Sequence, residues 1–315
     1  MKIRSFPQNL LIAFILLLTS CIKDDMDECG TTRVWIKFDP AMYELPAGEH
    51  QIENLHVYMF NEKEQLVEEW QGGHYNYTAD QLCEIPVNLP TGVYSFIAWT
   101  NQGKIYKTDI SSRLSDSELY LENNKDEIYR TDIPDLHYTT GNNIKVDPIE
   151  DHEYILYLIP NTYRINLTVK ELPEGNDEDE YLFAITDNNT RYNFNNRIVE
   201  DQNLITHQRI TKRKEGILQA SIRTLTLHDD HAIENIGKPD TGDRSPQLTF
   251  RNHTNNTEIF TGNLVQIIRT AYSSADMQVD FDKTYEFNIV LSFDADLNVN
   301  ISVNGWIYTP NGTEL

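Results

Sequence analysis

The 315-residue chain is short of positive charge: 26 Lys and Arg stand against 49 Asp and Glu, a formal net charge of −23. That balance disfavours nucleic acid and anionic membrane surfaces as partners. Catalytic signatures are missing too. No Gly-x-Ser-x-Gly, Walker loop or His-Glu-x-x-His occurs, so the chain is read as a non-enzyme that needs no cofactor. Metal motifs are equally thin. Nine histidines are scattered, and the densest group, His228-Asp229-Asp230-His231, reads as a solvated polar loop. Asp294-x-Asp296-x-Asn298-x-Asn300 starts like a calcium loop. It has Val299 where the sixth position needs Gly and Gly305 where the twelfth needs Glu, and is read as turn chemistry.

Long apolar runs are absent as well. Leu10 to Leu18 is unbroken but falls short of the roughly 20 residues that span a hydrocarbon core. Lys2 and Arg4 precede the run and small polar residues follow it, the order of a secretory signal peptide over residues 1–20. Its exit, Leu18-Thr19-Ser20-Cys21, resembles the lipobox of bacterial lipoproteins. That resemblance implies acyl chains on Cys21 and cleavage before it. Each buried methylene contributes about 0.8 kcal/mol, and several chains together hold a protein on the membrane almost permanently. The next residues, Ile22-Lys23-Asp24-Asp25, look like a surface-export signal of Bacteroidota lipoproteins. We therefore expect a lipid-anchored, surface-exposed protein of the outer membrane.

Cysteine is scarce. With Cys21 lipidated, Cys29 and Cys83 remain as an even pair in an oxidising compartment. We expect them to form a disulfide, contributing up to about 4 kcal/mol in the chain-entropy model; the alternative is two unpaired buried thiols.

What is present in quantity is period-two alternation. Val34, Ile36 and Phe38 alternate with Arg33, Trp35 and Lys37. Further β-rich runs are His56–Phe60, Ile85–Leu89 and Val93–Trp99, the last two joined through Pro90-Thr91-Gly92. Pro86 marks an edge or a bulge. Residues 109–135 are polar and acidic, with Leu114, Leu119 and Tyr120 at loosely helical spacing, and read as a long connection containing a short helix. Tyr154–Ile159 closes a first domain, and Pro160 interrupts the pattern. A second series follows: Tyr163–Val169, Tyr181–Ile185, Leu218–Leu227, Gln247–Phe250, Glu258–Phe260, Tyr285–Phe293 and Val299–Val303. Leu264, Ile267 and Ile268 fall on one face of a helix. The reading is a tether over 21–30, a β-sandwich over 31–160 and another over 161–315.

Several of these stretches resemble the FimB/Mfa-type family, the minor fimbrium anchoring subunits of Bacteroidales. They are the start from Cys21 to Cys29 followed by Arg33–Phe38, the strand Leu55–Phe60, the stretch Leu89-Pro90-Thr91-Gly92-Val93-Tyr94 running to Ala98-Trp99, and Val303-Asn304-Gly305-Trp306. Gly30 stands where Pro is common, and Thr100 where Gly often follows the Trp. The resemblance implies an all-β fold of two tandem transthyretin-like β-sandwich domains. It also implies a fimbrial (pilus) subunit whose partner is the major shaft subunit, met by β-strand addition. An anchor of this kind keeps its lipid and its first strand, so Arg33 should be sheltered from an Arg-directed protease. Trp99 and Trp306 are expected in the core. The rival reading is a surface lipoprotein or tip adhesin that binds glycans on exposed aromatics, with Trp70, Tyr75 and Tyr77 as the platform.

Overall fold

The computed structural model describes residues 30–43, 45, 50–73, 75–77, 82–103, 105–122, 128–172, 179–199, 204–227, 246–294, 296 and 298–308. In the first half the strands are β1 (Thr32–Lys37), β2 (His50–Ile52), β3 (Leu55–Asn61), β4 (Leu66–Gly72), β5 (Tyr75–Tyr77), β6 (Leu82–Ile85), β7 (Gly92–Thr100), β8 (Tyr106–Asp109), β9 (Glu118–Leu121), β10 (Ile128–Tyr129), β11 (His137–Val146), β12 (His152–Tyr157) and β13 (Ile159–Pro160). The second half holds β14 (Thr162–Lys170), β15 (Tyr181–Asp187), β16 (Arg191–Asn193), β17 (Ile205–Ile210), β18 (Lys212–Lys214), β19 (Ile217–Leu225), β20 (Gln247–Asn252), β21 (Thr257–Asn263), the helix α1 (Leu264–Ser273), β22 (Glu286–Phe293), β23 (Val299–Val303) and β24 (Trp306–Tyr308).

Each half is a sandwich. In the first, a three-stranded sheet ordered β12-β1-β6 faces a five-stranded sheet ordered β13-β11-β7-β3-β4. Val34 and Ile36 point inward from β1 and share one core with Val57, Met59, Phe96 and Ala98. In the second, sheets ordered β10-β17-β15-β20-β21 and β18-β19-β14-β22-β23-β24 enclose Ile165, Leu167, Phe183, Ile185, Phe250 and Ile289. Helix α1 adds Leu264, Ile267 and Ile268 to that core, as their spacing predicts. Asn263 caps it, its side chain accepting from the Gln266 amide at 2.9 Å.

Residues 109–135 depart from the expected connection. Among the described residues of this stretch only Leu114–Asp116 is helical, as one 3-10 turn. Glu118–Leu121 becomes β9, because Leu119 and Leu121 alternate inward and find strand partners on both sides. β9 pairs with β8 and with β16 of the second half, and β10 pairs with β17. The excursion therefore joins the two halves. It covers the outer face of the five-stranded sheet, where Tyr58, Phe60, Ile97 and Trp99 meet Leu119, Tyr192 and Phe194 in a second core. Arg209 and Arg223 lock it with ion pairs to Asp132 (2.5 Å) and Asp135 (2.9 Å). Because β3 and β7 are buried on both faces, they read as continuous apolar runs rather than alternating ones.

The two runs joined through Pro90-Thr91-Gly92 do not pair with each other as a hairpin would. β6 ends at Ile85, ahead of Pro86, and lies at the edge of the small sheet, whereas β7 lies in the other sheet. Residues 86–91 thus cross between layers. The Tyr94 hydroxyl donates to the Pro90 carbonyl at 2.9 Å, and Gly92 leaves room for that ring.

Candidate functional site: the first strand and its seat

β1 is the middle strand of its sheet. It runs parallel to β12, from Thr32 opposite His152 to Lys37 opposite Tyr157, and antiparallel to β6, from Val34 opposite Ile85 to Lys37 opposite Leu82. Val34 and Ile36 are fully buried. The ladder to β12 is bracketed by His152 N donating to Thr31 O at 2.9 Å and Leu158 N donating to Lys37 O at 2.8 Å.

Ahead of β1 the chain is seated as well. Gly30 N donates to Pro148 O at 2.7 Å. The Thr31 amide and hydroxyl both donate to Asp151 Oδ1, at 2.8 and 2.9 Å. These bonds hold the Asp151 carboxyl below its usual pKa. Next to them Lys145 reaches Asp147 at 2.8 Å and Glu150 at 3.3 Å. Its hydrogen bonds to Asp147 and Glu150 raise its own pKa, and its bond to Asp147 lowers that carboxyl. Asp147, Glu150 and His152 could between them offer ligands to a cation, but the Lys145 ammonium already pairs with both carboxylates and offsets one of their two charges.

Arg33 is sheltered, though by the backbone rather than by burial. Its side chain is exposed, opposite Glu153, while its main chain is held in the ladder to β12. A protease that needs an extended substrate finds the Arg33–Val34 bond inside a sheet.

The remaining candidate residues are dispersed. Cys21 and Cys29 lie outside the described residues, as does the His228–His231 group. Cys83 is buried on β6 opposite Ile36. Trp99 is fully buried, as expected, but Trp306 is not: it is 39% exposed. Its strand, β24, is three residues long and sits at a sheet edge with β23 as its strand neighbour, so the indole lies at the rim. The Asn304-Gly305 turn before it has positive φ at both residues, the type I′ geometry of a two-residue hairpin. Trp70 packs partly buried against the core, which removes it from an exposed aromatic platform. The side chains of Tyr75 and Tyr77 lie outside the described ones. Asp294 accepts from the Asp296 and Asn298 amides and from Asn298 Nδ2, closing the β22–β23 turn. Among the described residues no helix is long and apolar enough to cross a membrane.

A strand-built first domain whose opening strand is integral to its sheet points to the fimbrial proteins, and the comparison with known sequences decides it. Residues 26–311 match the fimbrillin-A associated anchor proteins Mfa1 and Mfa2. The chain belongs to this family. No curated protein matches it. Among solved structures it is similar to the fimbrial anchor protein Mfa2 from Porphyromonas gingivalis, with 19% identity and a TM-score of 0.62 over 88% of this chain and 98% of that one. It is also similar to a candidate adhesin from Bacteroides thetaiotaomicron, with 18% identity and a TM-score of 0.68 over 90% and 99% of the two chains. A candidate polysaccharide-binding protein from the same species gives 18% identity and a TM-score of 0.66 over 88% and 97%. At these identities the structural likeness establishes the fold. Family membership makes the chain a structural protein of cell-surface fimbriae.

Proposed function

We propose that this protein is the lipid-anchored base of a fimbria, tied to the outer membrane through acyl chains on Cys21 and ending the polymer there. The observation that carries this reading is β1. It starts only eleven residues after Cys21 and fills the centre of its sheet, so the first sandwich is completed by its own chain. A subunit that still needed a donated strand would have an open row of main-chain donors and acceptors at that place. Here the row is closed, and addition of a further subunit by exchange at β1 is blocked. The shaft subunit is the partner, met by strand contacts elsewhere on the molecule.

The test is deletion of the gene, with complementation by the native chain or by Cys21→Ala. The reading predicts longer fimbriae shed into the medium by the deletion strain, rescue by the native chain and no rescue by Cys21→Ala. Surface protein that begins at Val34 and carries no lipid would overturn it.

A further inference from the structure

The topology gives β1 a second property, and it rests on the reading of the N-terminus as the attached end. The described fold contains two long parallel strand pairs, β1 with β12 over six positions and β14 with β22 over seven. In the first pair the ends are disposed in a particular way. The N-terminal end of β1 leads back through Gly30 to the tether, beside Pro148 and Asp151. The C-terminal end of β12 leads directly through β13 into β14 of the second half. That half also lies at the C-terminal end of β1: just beyond the strand, Tyr43 packs edge-on against Tyr285 with ring centroids 5.6 Å apart.

We propose that the β1–β12 pair is a tension-bearing clamp. A pull between the tether and the second half draws β1 from its N-terminal end and β12 from its C-terminal end. Because the strands are parallel, the two forces run in opposite directions along the ladder and load its hydrogen bonds in shear. All bonds of the ladder then resist together, and they must fail in one step. Had β1 paired antiparallel at this place, the same pull would draw both strands from one end and open the bonds one at a time. The bonds from Gly30 and from Thr31 to Pro148 and Asp151 extend the loaded zone beyond the strand. The same disposition recurs downstream. β14 is entered from its N-terminal end, and its parallel partner β22 leaves toward the C-terminus. A fimbrial base would thereby hold its foot against flow without a covalent link.

Single-molecule force spectroscopy on the chain from residue 21 onward tests this by changing only the direction of pull. One handle is fixed to residue 21. The other is a thiol at Asn255→Cys, in the exposed β20–β21 turn, or at Ile149→Cys, which is 79% exposed just before β12. Both are made in a Cys29→Ser background, in which buried Cys83 is unreactive. The Asn255 handle shears β1 from β12, whereas the Ile149 handle pulls both strands from the same end and peels them apart. Release of β1 is recognised in both by its length. It frees the chain from Thr32 to the start of β3 at Leu55, 23 residues or about 80 Å when extended. The expected result is a release force several-fold higher with the Asn255 handle than with the Ile149 handle at one loading rate. Equal forces, or a lower force with the Asn255 handle, would overturn the clamp. The measurement reads the purified chain and stands apart from the deletion strain, so a strong clamp in a protein that anchors no fimbria would be recognised as such.

Discussion

The α-carbon of Gly30 lies so close to the backbone of Glu150 that a Cβ on it would sit 2.4 Å from the Glu150 nitrogen. No side chain fits there without moving the main chain, and the main chain concerned seats β1. Gly30→Ala should therefore break the Gly30–Pro148 bond and loosen Thr31 from Asp151, while the buried Val34 and Ile36 keep the strand itself in place. The expected loss is about 1–3 kcal/mol, the range for a strained contact with lost hydrogen bonds. Denaturant unfolding reads the loss. Limited trypsin digestion reads the local effect, as faster cleavage after Arg33 than in the native chain.

The two tryptophans of the family motifs should separate sharply. Trp99 is fully buried among Tyr138, Tyr192 and Phe194, with ring centroids 4.7 to 6.4 Å away. Trp99→Ala is expected to destabilise by about 3–5 kcal/mol. Trp306 lies on a three-residue edge strand and is 39% exposed, so Trp306→Ala should remain below about 1 kcal/mol. Midpoints of chemical denaturation at unchanged m-value check both. Equal losses would place Trp306 in a covered interface.

The contrast between these residues shows where the sequence was legible. Alternation placed β1, β14 and β22, and the i, i+3, i+4 spacing of Leu264, Ile267 and Ile268 placed the core face of α1, because each buries one side and exposes the other. It did not reveal β9 or the 3-10 turn before it. Leu114, Leu119 and Tyr120 fit a helical spacing as well as a strand, and the outcome was decided by β8 and β16, which lie 9 or more residues away in sequence. A usable signal did exist in Tyr58-Met59-Phe60 and Phe96-Ile97-Ala98-Trp99. In β3 and β7 these unbroken runs belong to strands covered on both faces, whereas the equally unbroken run Tyr154–Ile159 leaves Ile155 and Tyr157 45% and 40% exposed. For β1, alternation gave its existence but not its direction. Parallel pairing with β12 depends on a chain reversal more than a hundred residues long, and no local pattern encodes it.

Acid should weaken the junction between the halves. His207 on β17 is buried beside Tyr129 of β10, and its pKa is lowered to about 3, first by burial and then by the Arg209 guanidinium, with Asp132 opposing. The folded protein therefore keeps His207 neutral, while the unfolded chain binds a proton near pH 6.5. Between these two values the unfolded state holds more protons, so stability falls as pH falls through 6.5 and goes on falling toward 3. The contribution is on the order of 1–3 kcal/mol by pH 4. His56, also lowered by burial, acts in the same direction. His207→Phe should flatten part of the slope between pH 6.5 and 4 in urea unfolding. An unchanged slope would assign the acid sensitivity to other groups.

The proposed Cys29–Cys83 bridge competes with the seat of β1. Cys83 lies opposite Ile36, and Gly30 lies six residues further up the strand. At about 3.3 Å per residue the separation along the sheet is roughly 20 Å, whereas a disulfide needs α-carbons within about 7 Å of each other. Cys29 adjoins Gly30, so the bridge can form only if Gly30 and Thr31 leave Pro148 and Asp151 and the chain folds back over β1. With the lead-in seated, two thiols are expected when unreduced protein carrying an acylated Cys21 is denatured and titrated. The thiol of Cys83 should stay unreactive until unfolding, because the residue is only 5% exposed. A protein that titrates with no thiols, together with a linked Cys29–Cys83 peptide, would establish the bridge. It would also mean that β1 is held at its N-terminal end by a covalent bond in place of the Gly30 and Thr31 hydrogen bonds, and trypsin should then reach Arg33 more slowly in oxidised than in reduced protein.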